Sequence, residues 1–215
     1  MNGFPDFFTK VPGITTFDPL ALTLGTVEDG IIKFRYTQIV KSAGHSCPTV
    51  AGAYLMTLKA LDALYTDTIA VRGEIKVEFK EDLEDGVAGV IANVISNITG
   101  ATQKSGFKGL SGRFARHSLM SFNADISSSV RFTRVDNGKS VDVYYNPNVV
   151  LPDPKMPELM RLVVSQNATD EQKVEFGKLW QERVERILID NFDNENMIKV
   201  SLVTWRSNNL PLEVS

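Results

Sequence analysis

Cysteine is almost missing from this chain: Cys47 stands alone among 215 residues. An intrachain disulfide and a multi-cysteine zinc finger are both excluded. Positive charge is not in excess, since 23 Lys and Arg against 26 Asp and Glu leave a net charge of −3. That balance lacks the basic field with which proteins neutralise phosphates, so nucleic acid is not expected as a partner. No apolar run approaches the ~18 residues needed to span a bilayer. Gly3, Pro5, Asp6 and Pro12 interrupt the region where a signal peptide would be continuously apolar. The expectation is a soluble, cytoplasmic protein with no membrane partner, in which the sequons at Asn97 and Asn167 carry no glycan. Histidine is scarce too, limited to His45 and His117.

What the chain does contain is 43% hydrophobic residues, enough for a substantial core in one domain over residues 1–215. Phe4, Phe7, Phe8 and Phe17 are scattered among prolines, which predicts an irregular aromatic arm over residues 1–20. Alternation of Ile32, Phe34 and Tyr36 with charged residues predicts a strand over 31–36, followed by a short helix that Gly44 stops. From Pro48, apolar residues recur at three and four through Leu64, the pattern of a helix with proline at its first position. A second amphipathic strand is predicted over 75–79 and a small-residue helix over 87–98. Four glycines in 99–112 mark a long loop. Strands follow over 118–123, 129–134 and 140–145, the last two joined by a hairpin at Asp136-Asn137-Gly138. Residues 146–215 read as a helical extension with a final strand over 198–205. Its long helix opens with the capping box Thr169-x-x-Gln172 and carries Trp180 on a core stripe. No βαβ rhythm or repeat is present, which favours an α+β fold: a mixed, largely antiparallel sheet packed with helices.

Chemistry concentrates at Gly44-His45-Ser46-Cys47-Pro48. A cysteine at a helix start meets free backbone N–H groups and the positive end of the helix dipole, which favour its thiolate as metal ligand or nucleophile. His45, in a glycine-led turn, is able to reach the same point. Thiolate plus imidazole suits zinc, with iron, nickel or copper as other possibilities. The plainer alternative is a small buried Cys47 beside a hydrogen-bonding His45. The second candidate is the glycine loop. Gln103-Lys104-Ser105 lacks the glycine spacing of a nucleotide-binding P-loop. Lys104, Lys108, Arg113 and Arg116 among exposed amides fit either an anion pocket or solvated loop charges. His117 is a third metal ligand only if the fold carries it to Cys47.

The run from Gly44 to Pro48, followed by a small-residue helix and by Asn93 to Thr102, resembles the E-type-subunit family of formylmethanofuran dehydrogenase. The resemblance spans about Val40 to Val143, and its most specific element is His45-x-Cys47-Pro48. It implies an α+β core, residues 31–145 here, that binds a transition metal, with His45 and Cys47 as ligands. Thr49 stands where the family has glycine, and Ala101 where it has a second cysteine. The C-terminal zinc finger of some members is not expected in this sequence, because no cysteine follows Cys47 in it. The resulting expectation is an open metal site held by His45, Cys47 and His117, with zinc as the metal that the donor types suit best. Thr99, Gly100, Gln103 and Lys104 would face it across a cleft and take a small polar or anionic ligand. Other readings are a metal-independent enzyme with Cys47 as nucleophile, and an accessory protein without catalysis, able in one version to bind haem. Arm exchange would make a homodimer.

Overall fold

The computed structural model describes residues 3–203. Over these residues it is an α+β structure of six α-helices and two mixed sheets. The smaller sheet has the order β2-β1-β3 and contains β1 (Ile14–Phe17), β2 (Ile31–Phe34) and β3 (Ala70–Val71), with β1 antiparallel to β2 and parallel to β3. The larger sheet has the order β5-β4-β6-β7-β8. Its strands are β4 (Ile75–Phe79), β5 (Met120–Ser121), β6 (Val130–Arg134), β7 (Ser140–Tyr145) and β8 (Ile198–Leu202), antiparallel except for the β4–β5 pair. The helices are α1 (Pro19–Thr23), α2 (Tyr36–Ala43), α3 (Pro48–Leu64), α4 (Ala88–Thr99), α5 (Met156–Val164) and α6 (Asp170–Glu185), which runs into a π-helical turn, Arg186–Asp190. No helix among the described residues is long and apolar enough to cross a membrane.

The centre of the molecule is α3. Its sequence suggests one apolar stripe, yet every residue from Val50 to Leu58 is buried, so this part of the helix is covered on every side, while Asp62 near its end is exposed. It packs on β7 and β8, on α4, and on α2 and α6. Each large aliphatic side chain buried here contributes ~1.5–3 kcal/mol.

The arm expected over residues 1–20 to be irregular carries regular elements from Asp6 onward. A 3-10 turn at Asp6–Thr9 buries Phe7 and Phe8, and β1 is the central strand of its sheet. Phe8 meets the edge of Tyr36 at 4.9 Å, and Tyr36 meets Tyr54 of α3 at 5.4 Å, so aromatic packing rather than periodicity fixes this segment. Tyr36 belongs to α2 and not to the preceding strand, because Gln38 turns back to accept from the Arg35 amide at 2.7 Å. The strand expected over 118–123 shrinks to two residues, since Ser118 and Asn123 hold left-handed backbone angles. Trp205, expected in the last strand, lies outside the described residues.

Candidate functional site

Two glycine and proline signals build the turn that carries His45 and Cys47. Gly44 ends α2 at φ 76°, a left-handed conformation that glycine adopts without strain, and its amide closes on the Val40 carbonyl at 2.9 Å. Pro48 opens α3 where no amide donor is required. Cys47 is therefore the N-cap residue, buried at 8% exposure, and its Sγ accepts from the Val50 amide at 3.4 Å. This is the position at which a backbone amide and the helix dipole both favour negative charge on sulfur.

The turn is held by four side chains from three elements. Trp180 Nε1 and Gln181 Nε2, both on α6, donate to the Ser46 carbonyl at 3.0 and 3.1 Å. Ser46 Oγ and the Tyr36 hydroxyl are 2.9 Å apart, and the Tyr145 hydroxyl donates to the Pro48 carbonyl at 2.8 Å. Burial pushes the Tyr36 and Tyr145 phenols well above the ordinary range, so both are neutral hydroxyls serving as fixed props. Enclosing the Ser46 and Pro48 carbonyls is tolerated because each has a partner.

His45 is exposed, and its Nδ1 lies 3.0 Å from the Ala43 carbonyl. A carbonyl only accepts, so Nδ1 carries the hydrogen and the neutral ring leaves its lone pair on Nε2. That is the arrangement by which backbone carbonyls orient metal-ligating histidines.

His45 and Cys47 line one cavity of about 450 Å³ with Pro48, Thr49, Val90, Pro147, Trp180 and Arg183. The residues come from the α3 start, α4, the segment after β7, and α6. Trp180 is thus only half-buried and forms a wall of this cavity, where its stripe predicts a purely core position. Arg183 donates through Nε to the Val150 carbonyl at 2.8 Å and through one terminal nitrogen to the Pro147 carbonyl at 3.1 Å. Its burial, together with the nearby positive charge of Arg186, lowers its proton affinity below the ordinary arginine value.

The glycine loop goes elsewhere. No residue of 99–117 lines the cavity at Cys47. Thr99 is buried, its hydroxyl donating to the Ile95 carbonyl at 2.8 Å and accepting from the Ala101 amide at 3.1 Å. Gly100 ends α4 at φ 75°, packed against Arg116 and Arg72. Gln103 and Lys104 are exposed and line a different cleft, with Asp82 and residues from 118–123. The cleft expected between this loop and Cys47 is therefore not formed, because α4 ends at the small sheet and delivers the loop to Arg72 and Arg116. His117 lies on the same loop, with Nδ1 3.0 Å from Ser118 Oγ. Among the described residues no three His, Cys, Asp or Glu side chains come close enough together to hold an ion, so His117 does not join His45 and Cys47.

Val90, Pro147, Trp180 and Arg183 are not marked as site residues by the sequence. Their only local signal is Trp180 and Arg183 three apart on one helix face. No curated protein matches the chain. A family model described as FmdE, molybdenum formylmethanofuran dehydrogenase operon, matches residues 43–194, from just before His45 through the end of α6 and its π-helical turn. With more than half of its length matched, including both candidate donors and every residue of the cavity wall, the chain belongs to the FmdE family.

Proposed function

We propose that this chain is a transition-metal-binding member of the FmdE family, with His45 and Cys47 as its protein ligands and an open site for a small polar or anionic ligand. The observation that carries the reading is the pairing of two soft donors on one cavity, with His45 Nδ1 committed to the Ala43 carbonyl and Nε2 left free. A thiolate and an imidazole suit zinc. Two protein donors complete only half of a tetrahedral shell, which fits a site finished by water, ligand or a second protomer rather than a closed structural one. A bound ion would supply a Lewis acid to a ligand atom in the cavity. The chain itself holds the donors in place through Tyr36, Tyr145, Trp180 and Gln181, and among the described residues no carboxylate lines the cavity.

Elemental analysis of protein purified without added metal tests this. Near-stoichiometric metal that disappears in Cys47→Ser and falls in His45→Ala is the expected result. Metal-free native protein, with Cys47 alkylated at the same rate before and after chelation, would overturn it and leave Cys47 as a bare nucleophile.

A further inference from the structure

Among the described residues, the cavity beside Cys47 has one cation, Arg183, without a carboxylate partner, in a wall that is otherwise mainly apolar apart from His45 and Thr49. Arg183 is anchored through two of its nitrogens to the Val150 and Pro147 carbonyls, and among the described residues its remaining terminal nitrogen has no protein acceptor. Among those residues no carboxylate lines the cavity, and the nearby charge acting on Arg183 is the like charge of Arg186. A half-buried guanidinium without a counter-ion is costly, and its planar fork matches a carboxylate. The walls beside it are flat and rigid. Trp180 is pinned by its bond to Ser46 and by a tilted contact with Phe176 at 5.6 Å, while Pro48, Pro147 and Val90 supply the other apolar surfaces. A pinned indole is ready-made for stacking, since no side-chain freedom is lost when a ring lies on it.

We infer that Trp180 and Arg183 form the ligand-selecting half of this site, taking a planar, unsaturated carboxylate whose ring or conjugated plane lies on Trp180 and whose anionic group meets Arg183. His45 and Cys47 then face the ligand's other edge. The inference deepens the reading of the cavity as a ligand site but does not require a metal, because the selecting groups are an indole and a guanidinium.

The probes are benzoate, benzyl alcohol and cyclohexanecarboxylate, titrated calorimetrically into full-length protein in the presence of a chelator and again with zinc. With or without zinc, benzoate is expected to bind at least about tenfold more tightly than benzyl alcohol, the size of one charge-assisted hydrogen-bonded pair, and several-fold more tightly than cyclohexanecarboxylate, the size of one aromatic stacking contact. Arg183→Gln removes the preference over benzyl alcohol while leaving benzyl alcohol binding in place. Trp180→Leu removes the preference over cyclohexanecarboxylate. Location is read on the unmodified chain: benzoate slows alkylation of Cys47 by iodoacetamide, and benzyl alcohol at the same concentration slows it less. This measurement stands even where a variant fails to fold. Equal binding of the three probes, or benzoate that leaves Cys47 alkylation unchanged, overturns the inference. Benzoate selectivity in protein that never holds metal sinks the metal reading alone.

Discussion

A single missing methyl decides how Tyr145 reaches the turn at Cys47. Gly52 lies one turn into α3, and a Cβ built there would overlap the Tyr145 ring. Helix propensity alone favours alanine over glycine by ~1 kcal/mol, so steric contact and propensity oppose each other at this position. Contact wins, because Tyr145 is tied to the Pro48 carbonyl and packed against the core. Gly52→Ala is expected to lower stability by ~1–3 kcal/mol as the ring is displaced. Gly177 is the control: it is exposed on α6 with nothing within 4 Å of an added Cβ. There propensity acts unopposed, and Gly177→Ala should raise stability by ~0.5–1 kcal/mol. Urea denaturation of the two variants must give opposite signs; two losses or two gains would refute the argument.

Among the elements, α6 shows what local chemistry reveals and what it conceals. Its start is legible: Thr169 accepts from the Gln172 amide at 3.3 Å, and Gln172 answers by accepting from the Thr169 amide at 2.9 Å. Thr169→Ala should therefore cost ~1 kcal/mol, seen as a lower denaturation midpoint at unchanged denaturant slope. The same legibility holds for α3, bounded by Pro48, and for the β6–β7 hairpin, because proline, glycine and alternation act within a few residues. The cavity wall is not legible. Trp180 sits 134 residues from the Ser46 carbonyl it binds, and no periodicity on α6 says that its indole faces a distant turn rather than the core. His45 and Cys47 are readable as donors because both belong to the pentapeptide that forms their turn. The glycine loop misleads for the opposite reason: its composition suits an anion site, whereas its position is set by where α4 ends.

At the scale of the whole molecule, one carboxylate ties the arm to the glycine loop. Asp18 caps α1 by accepting from the Leu20 and Ala21 amides at 3.0 Å, and it pairs with Arg72 at 2.9 Å and Arg116 at 2.6 Å. Arg72 in turn donates to the Ile98 and Asn97 carbonyls at the end of α4. The partners lie 54 and 98 residues from Asp18, which is why nothing in the sequence announces the cluster. Arg116 fits because Gly73 and Gly100 leave room for its guanidinium, yet its Nε and Nη1 are buried without partners among the described residues. Removing Asp18 therefore strands a buried cation, and Asp18→Asn should cost ~3–5 kcal/mol, more than the double change Asp18→Asn with Arg116→Met. Burial acts to raise the Asp18 pKa, but the Ala21 amide, the Arg72 hydrogen bond and the two positive charges outweigh it and hold the carboxyl below the usual range. The folded state thus binds this proton less readily than the unfolded chain does. The stabilisation is fully present above the unfolded value, near pH ~3.9, and is lost as pH falls through the depressed folded value. Urea midpoints measured from neutral pH down to ~3 should fall more steeply for the unmodified chain than for Asp18→Asn. Parallel acid limbs would show that Asp18 is not the group whose protonation loosens the arm from the loop.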